Sequence, residues 1–159
     1  MHTLNSEIQS EIARRQKASA RTVIALMIAA VLLSVIAFLG RNYFNQRLSF
    51  GMDMTVRITI LVFGLGAIAL RRTKFNAIRL QDIGGLQGTS GLLKALEQTT
   101  LQLAILGALI VVVGFVGTVL MGNEFYTYVG ALISIVVLLY SYPTKSSWIR
   151  TILRFAPSN

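Results

Sequence analysis

Four stretches of this chain are too apolar to be left in water, and any fold must first find a place for them. They cover residues 22–39, 54–70, 101–121 and 125–142. At about 1.5 Å of rise per residue, each is close to the length a helix needs to cross the roughly 30 Å hydrocarbon layer of a bilayer. Peptide groups find no water there, so a spanning segment must satisfy its own backbone, and a helix does so. The sequence therefore predicts an all-α integral membrane protein with four transmembrane helices in an antiparallel bundle. The second stretch is the shortest and carries Arg57.

The remaining sequence is too short for anything else to fold independently. Charged residues make up 13% of the chain, roughly half the share in a soluble domain. The longest segment between spans holds about thirty residues, below the size of a domain. Three regions follow. Residues 1–21 form a cytoplasmic amphipathic helix continuing into the membrane, 22–142 the transmembrane domain, and 143–159 a basic interfacial segment.

The net charge of +9 is sorted by topology. Arg14, Arg15, Lys17 and Arg21 precede the first span. Arg71, Arg72, Lys74, Arg79 and Lys94 lie between the second and third, and Lys145, Arg150 and Arg154 follow the fourth. Only Arg41, Arg47 and Arg57 fall on the opposite side, and the 122–124 turn has no basic residue. Twelve against three is a strong positive-inside bias. It predicts both termini in the cytoplasm and a bacterial inner (cytoplasmic) membrane as the location. So sorted, the charge points to topology and contact with anionic lipids, with no nucleic acid as partner.

Between Ser6 and Leu39 there is neither Pro nor Gly. Ser6 and Gln9 have capping-box spacing, and Leu4, Ile8 and Ile12 make a narrow apolar stripe. One long helix is expected, ended by Gly40 and retained as an anchor rather than cleaved as a signal peptide. Tyr43, Phe44 and Phe50 in the following loop suit the headgroup layer. Asp53 stands four residues before Arg57, helical spacing for an outer-edge ion pair. After Leu70 the helical spacing continues through Phe75, Ile78 and Arg79. A break is expected at Gly84–Gly85, inside the glycine-rich run 84–91, with Ser90 capping the next helix. Gly122 and Asn123 turn the third span into the fourth. Tyr126 and Tyr128 mark the outer interface of that pair, and Tyr140, Tyr142 and Trp148 the inner one. Pro143 stops the fourth helix. Beyond it, Trp148 and Ile152 with Arg150 and Arg154 form a basic amphipathic segment suited to the membrane surface.

Catalytic chemistry finds few parts. The chain has no Cys and a single His, His2, so thiol catalysis and self-contained haem, copper or zinc sites are not expected. Glu7, Glu11, Asp82 and Glu97 lie outside the membrane, with Asp53 and Glu124 at its outer edge. No spacing brings two of these carboxylates into one pocket. The glycine-rich run lacks the Gly-Lys-Ser/Thr ending of a P-loop and follows no strand, so it is expected to be a linker. The chain is thus expected to be no enzyme and to hold no cofactor or metal.

Small residues at helical spacing supply the other signal. Ala104, Gly107, Ala108, Gly114 and Thr118 line the third span, and Gly130 and Ser134 the fourth. Gly64, Gly66 and Ala67 cluster in the second, and Ala25 and Ala29 in the first. Such residues let helices approach closely in lipid, either within one chain or against a partner. In length, span number and Gly/Ala-rich helices the chain is similar to the proteolipid subunits of rotary proton-pumping ATPases. Those proteins carry a mid-membrane carboxylate, and neither the third nor the fourth span here contains one. The expected function is a non-catalytic accessory or structural subunit of a larger membrane complex, an energy-transducing complex being one candidate. Its partners would be other membrane subunits, with any pigment or cofactor held mainly by them. The alternatives are a small transporter or channel using Asp53, Arg57 and the polar residues 98–102, or an envelope-associated protein acting through its basic face.

Overall fold

In the computed structural model the described residues are 6–40, 43 and 50–155, and they are helical almost throughout. Five helices are present among them: α1 (Ser6–Gly40), α2 (Phe50–Lys74), α3 (Ala77–Met121), α4 (Phe125–Ser141) and α5 (Lys145–Phe155). Three of them, α1, α2 and α3, are each long and apolar enough to cross a membrane. α4 has 17 residues, about 26 Å of rise. It passes the same test only together with α5, from which it is bent by 49°. Apolar helices of this kind are compatible with an integral membrane protein. His2, Leu4, Arg41, Phe44 and Arg47 lie outside the described residues.

α3 is the hub. It packs against all four other helices, whereas α2 reaches only α3 and α4. Val23 and Ala30 of α1 meet Ala104 and Val111 of α3 and Leu138 and Ala131 of α4. Ile60 and Ala67 of α2 meet Leu103 and Ile110 of α3 and Val137 of α4. A separate core gathers at the basic end of the molecule, where Ile12, Leu93, Leu96, Trp148 and Ile152 join α1, α3 and α5.

Two breaks differ from the sequence expectation. The helical spacing through Phe75–Arg79 conceals a stop: α2 ends at Lys74, and Asn76 caps α3 by accepting from the Ile78 amide at 3.3 Å. Asn is among the strongest N-cap residues because its side-chain oxygen satisfies an orphan amide. Conversely, Gly84–Gly85 does not break the chain. The kink in α3 falls at Gly88, with φ 63° and ψ −158°, a conformation open mainly to glycine. Gly84 stays helical and buried, and the Phe155 carbonyl occupies the space a Cβ there would need. Ser90 is not a cap either; its hydroxyl donates to the Gln87 carbonyl at 3.3 Å.

Candidate functional site

The third-to-fourth helix turn is closed by its own polar groups. Gly122 takes the left-handed conformation, and its amide donates to the Thr118 carbonyl at 2.8 Å. The Thr118 hydroxyl donates to the Asn123 carbonyl at 3.0 Å. It accepts from the Thr127 hydroxyl at 2.7 Å and the Thr127 amide at 3.1 Å. One donor and two acceptor positions are all a hydroxyl has, so Thr118 is fully satisfied without water. Further along, the two backbones nearly touch. A Cβ on Gly114 would lie 2.5 Å from the Tyr126 carbonyl oxygen, and one on Gly107 3.1 Å from Leu138.

The structure therefore places the small-residue set inside the chain. Ala104, Gly107, Gly114, Thr118, Gly130 and Ser134 are buried and Ala108 is half-buried. In α2, Gly64 and Ala67 are buried, but Gly66 faces outward with nothing within 4 Å of where a Cβ would stand. α1 does not pack through Ala25 and Ala29, which are exposed; Ala30 and Ala37 take that role.

Three apolar residues expected at a membrane interface are buried instead. Trp148 and Ile152, expected at the membrane surface, are buried against Ile12, Leu93 and Leu96. An amphipathic helix needs only an apolar surface to cover it, and here the chain supplies one. Arg150 and Arg154 remain exposed, with Arg154 5.3 Å from the Phe155 ring. Tyr126, expected as an outer anchor, is buried over Gly117, while Tyr128 is exposed and donates to Glu124 at 3.0 Å. The outer-edge pair forms at its helical spacing: Arg57 donates to Asp53 at 3.1 Å and lies 5.8 Å from the Tyr126 ring.

At the basic end, charges meet that sequence spacing keeps apart. Arg15 bonds Glu11 at 2.9 Å and Glu97 at 3.0 Å, tying α1 to α3. Two carboxylates thus share one site, contrary to expectation, although both are occupied by the same cation. Hydrogen bonding to Glu11 raises the Arg15 pKa above its ordinary value, burial opposes this, and Glu97 adds to the rise. Gln16 donates to the Pro143 carbonyl at 2.7 Å, holding α1 to the α4–α5 joint.

Arg71 is the residue that sequence reasoning missed. Its guanidinium lies 3.7 Å from the centroid of the Tyr140 ring and 5.7 Å from that of Phe75. Such stacking favours a cation through the ring quadrupole. Its Nη1 is buried and finds no hydrogen-bond partner among the described residues. Both residues separately mark the inner interface in the sequence, but nothing local joins α2 to α4. Beneath Tyr140, an apolar groove of about 670 Å³ runs between α2 and α4, lined among others by Leu61, Gly64, Ile68, Leu132 and Val136. On another side a polar cleft of about 390 Å³ is bordered by Lys74, Arg79 and Lys94 together with Gln87, Gln98 and Gln102. The transporter candidates at 98–102 therefore collect at the basic end. Thr99 and Thr100 donate to carbonyls of their own helix, at 2.7 and 2.9 Å. Among the described residues no three His, Asp or Glu side chains gather as a metal site.

No protein-family model, curated protein or solved structure matches the chain. The functional reading therefore rests on the geometry.

Proposed function

We propose that the chain is a non-catalytic accessory subunit of a larger membrane protein complex. Its spans would form an antiparallel bundle of four crossings, with both termini on the cytoplasmic side of a bacterial inner membrane. The observation that carries this reading is the closed interior. Gly114 lies against Gly130 and the Tyr126 carbonyl, Gly107 against Leu138, and Gly64 against Ile133. Surfaces packed this closely leave no room for a column of water, and the hydroxyls of Thr118 and Thr127 are turned on each other. A solute path needs polar groups lining a way through; here Asp53 and Arg57 lie at one end and Gln98 and Gln102 near the other.

The outward faces support partner subunits. Ile24, Ile28 and Leu32 on α1 and Ile58, Leu61 and Leu65 on α2 are exposed. On that side of α1, Ala25 and Ala29 are one turn apart and uncovered, so a neighbouring helix could approach closely. The basic end suits anionic lipid. An energy-transducing complex fits this role, with any pigment or cofactor held by the partner.

Purification from the native membrane in mild detergent tests the reading. The chain should bring other membrane subunits with it. Replacing Ala25 and Ala29 together by Trp should leave insertion intact and strip those companions away. A native protein that migrates alone would refute the subunit role, and solute flux in vesicles holding only this chain would favour a transporter.

A further inference from the structure

The groove between α2 and α4 occupies only part of the span. Its α2 lining runs from Leu61 to Ile68 and its α4 lining from Leu132 to Tyr140. Those are seven and eight residue steps, about 10 to 12 Å of helix, less than half of a roughly 30 Å hydrocarbon layer. Away from the groove α2 closes on its neighbours. Val56 fills the space beside Gly117, within 2.8 Å of where a Cβ would stand, and Arg57 lies over Tyr126. The opening is thus confined to the leaflet on the basic side. A partner helix crossing the membrane would need a seam along the whole span, whereas one lipid of that leaflet needs only this half.

The mouth of the groove is cationic. Arg71 follows Ile68 by one turn and lies on the ring of Tyr140, which lines the groove, while Arg71 itself borders the small adjoining cavity beside Phe75, Thr100 and Trp148 with its Nη1 buried. Arg72 and Lys74 follow. Among the described residues no carboxylate is within ion-pair distance of these three, since the acids that pair do so with Arg15 and Arg57. The lining itself is apolar, from Leu61 through Val137. An apolar trough about a third of the hydrocarbon layer long, with a guanidinium that no described carboxylate pairs just beyond its end, suits part of an acyl chain and the phosphate above it.

We propose that this groove holds one anionic phospholipid of the basic-side leaflet, its acyl chain along Leu61–Ile68 and Leu132–Tyr140 and its phosphate at Arg71. The proposal rests on the membrane-spanning reading, and the two fail separately: a chain released from membranes by alkaline washing fails that reading, whereas lipid retention is measured only on chain that stays embedded.

The test is native mass spectrometry of the full chain taken from vesicles of equal phosphatidylglycerol and phosphatidylcholine. One phosphatidylglycerol should be retained in preference. Arg71→Gln should lower that preference about tenfold, as the loss of a charge-assisted contact implies. Arg72→Gln, which removes an exposed charge at the same depth, should leave it largely intact. Val136→Trp, which fills the groove from an exposed position on α4, should reduce retention of both lipids. Equal retention of the two lipids by the wild type would overturn the proposal, as would equal effects of the Arg71 and Arg72 variants. Unchanged retention by Val136→Trp would do the same and keeps the test open should Arg71→Gln fail to fold. A co-purifying protein lost on Val136→Trp, with lipid retention unaltered, would assign the groove to a partner instead.

Discussion

The contact between α3 and α4 should respond sharply to a single methyl group at Gly114. A Cβ there would lie 2.5 Å from the Tyr126 carbonyl oxygen, 3.2 Å from its carbon and 3.3 Å from the Gly130 Cα. All three are backbone atoms, so no side chain can swing aside. Ordinary contact begins near 3.4 Å, and the helices must part locally by about 0.9 Å. A gap of that order forfeits a quarter to a half of each dispersion contact along the seam, and overpacking of this kind costs about 1–3 kcal/mol. Against it, Ala is favoured over Gly in a helix by up to about 1 kcal/mol. Gly114→Ala should therefore destabilise the chain by up to roughly 2 kcal/mol once the full helix-propensity gain is subtracted. Gly66→Ala, with nothing within 4 Å, should be neutral or stabilising by up to about 1 kcal/mol. Reversible unfolding in mixed detergent micelles, followed by helical circular dichroism, measures both variants against the same reference. Equal stability of the two would refute the close packing of α3 on α4.

Other outcomes follow from the same geometry. Reporter fusions at Asn159 and within residues 41–53 should lie on opposite sides of the membrane, and a periplasmic C-terminus would reverse the proposed orientation. Ile152→Ala removes a fully buried side chain from the basic-end core and should cost about 2–5 kcal/mol, exposing α5 to protease in detergent without any lipid. Protection that appears only on adding anionic vesicles would return this face to the membrane surface. Arg15→Met should cost less than about 1 kcal/mol, because the pairs are partly exposed and screened. The raised pKa of Arg15 means its contribution is fully present below the ordinary arginine value and is lost only above it. Between about pH 6 and 9 the wild-type and Arg15→Met difference should stay constant, and a drift across that range, measured by thermal unfolding, would contradict the assignment.

Hydropathy made the long helices legible, and i,i+4 spacing made the Asp53–Arg57 pair legible, because both are local properties. The breaks were less so. Apolar spacing runs unbroken across Asn76, and the cap that ends it competes with a periodic signal on both sides. Within residues 84–91 every glycine could bend, and local sequence does not distinguish Gly88, which does, from Gly84, which packs in the helix beneath the Phe155 carbonyl. The amphipathic face of α5 was visible, but amphipathicity states that a face will be covered and not by what. Arg15 and Glu97, 82 residues apart, and Arg71 and Tyr140 meet only through the fold.

Two different forces hold the two ends of this molecule together. At the basic end, Ile12, Leu93, Leu96, Trp148 and Ile152 lie outside the predicted spans, where water exclusion drives burial at about 1.5–3 kcal/mol for a fully buried aliphatic side chain. Along the spans that drive is absent, because lipid tails are as apolar as leucine, and association depends on close approach and on buried hydroxyls. α1, α3 and α4 have both, in Ala30, Gly114, Gly130 and the Thr118–Thr127 bond. α2 takes no part in the basic-end core of buried residues, except where Phe75, just past its end, packs against it. Its links to α3 and α4 are Ile60 and Ala67 against Leu103, Ile110 and Val137, Val56 beside Gly117, Gly64 against Ile133 and the stack of Arg71 on Tyr140. The stack is the link nearest the groove, and removing it should loosen α2 from α4 at that end. A lipid seated between them would act on the contact that holds α2 to α4.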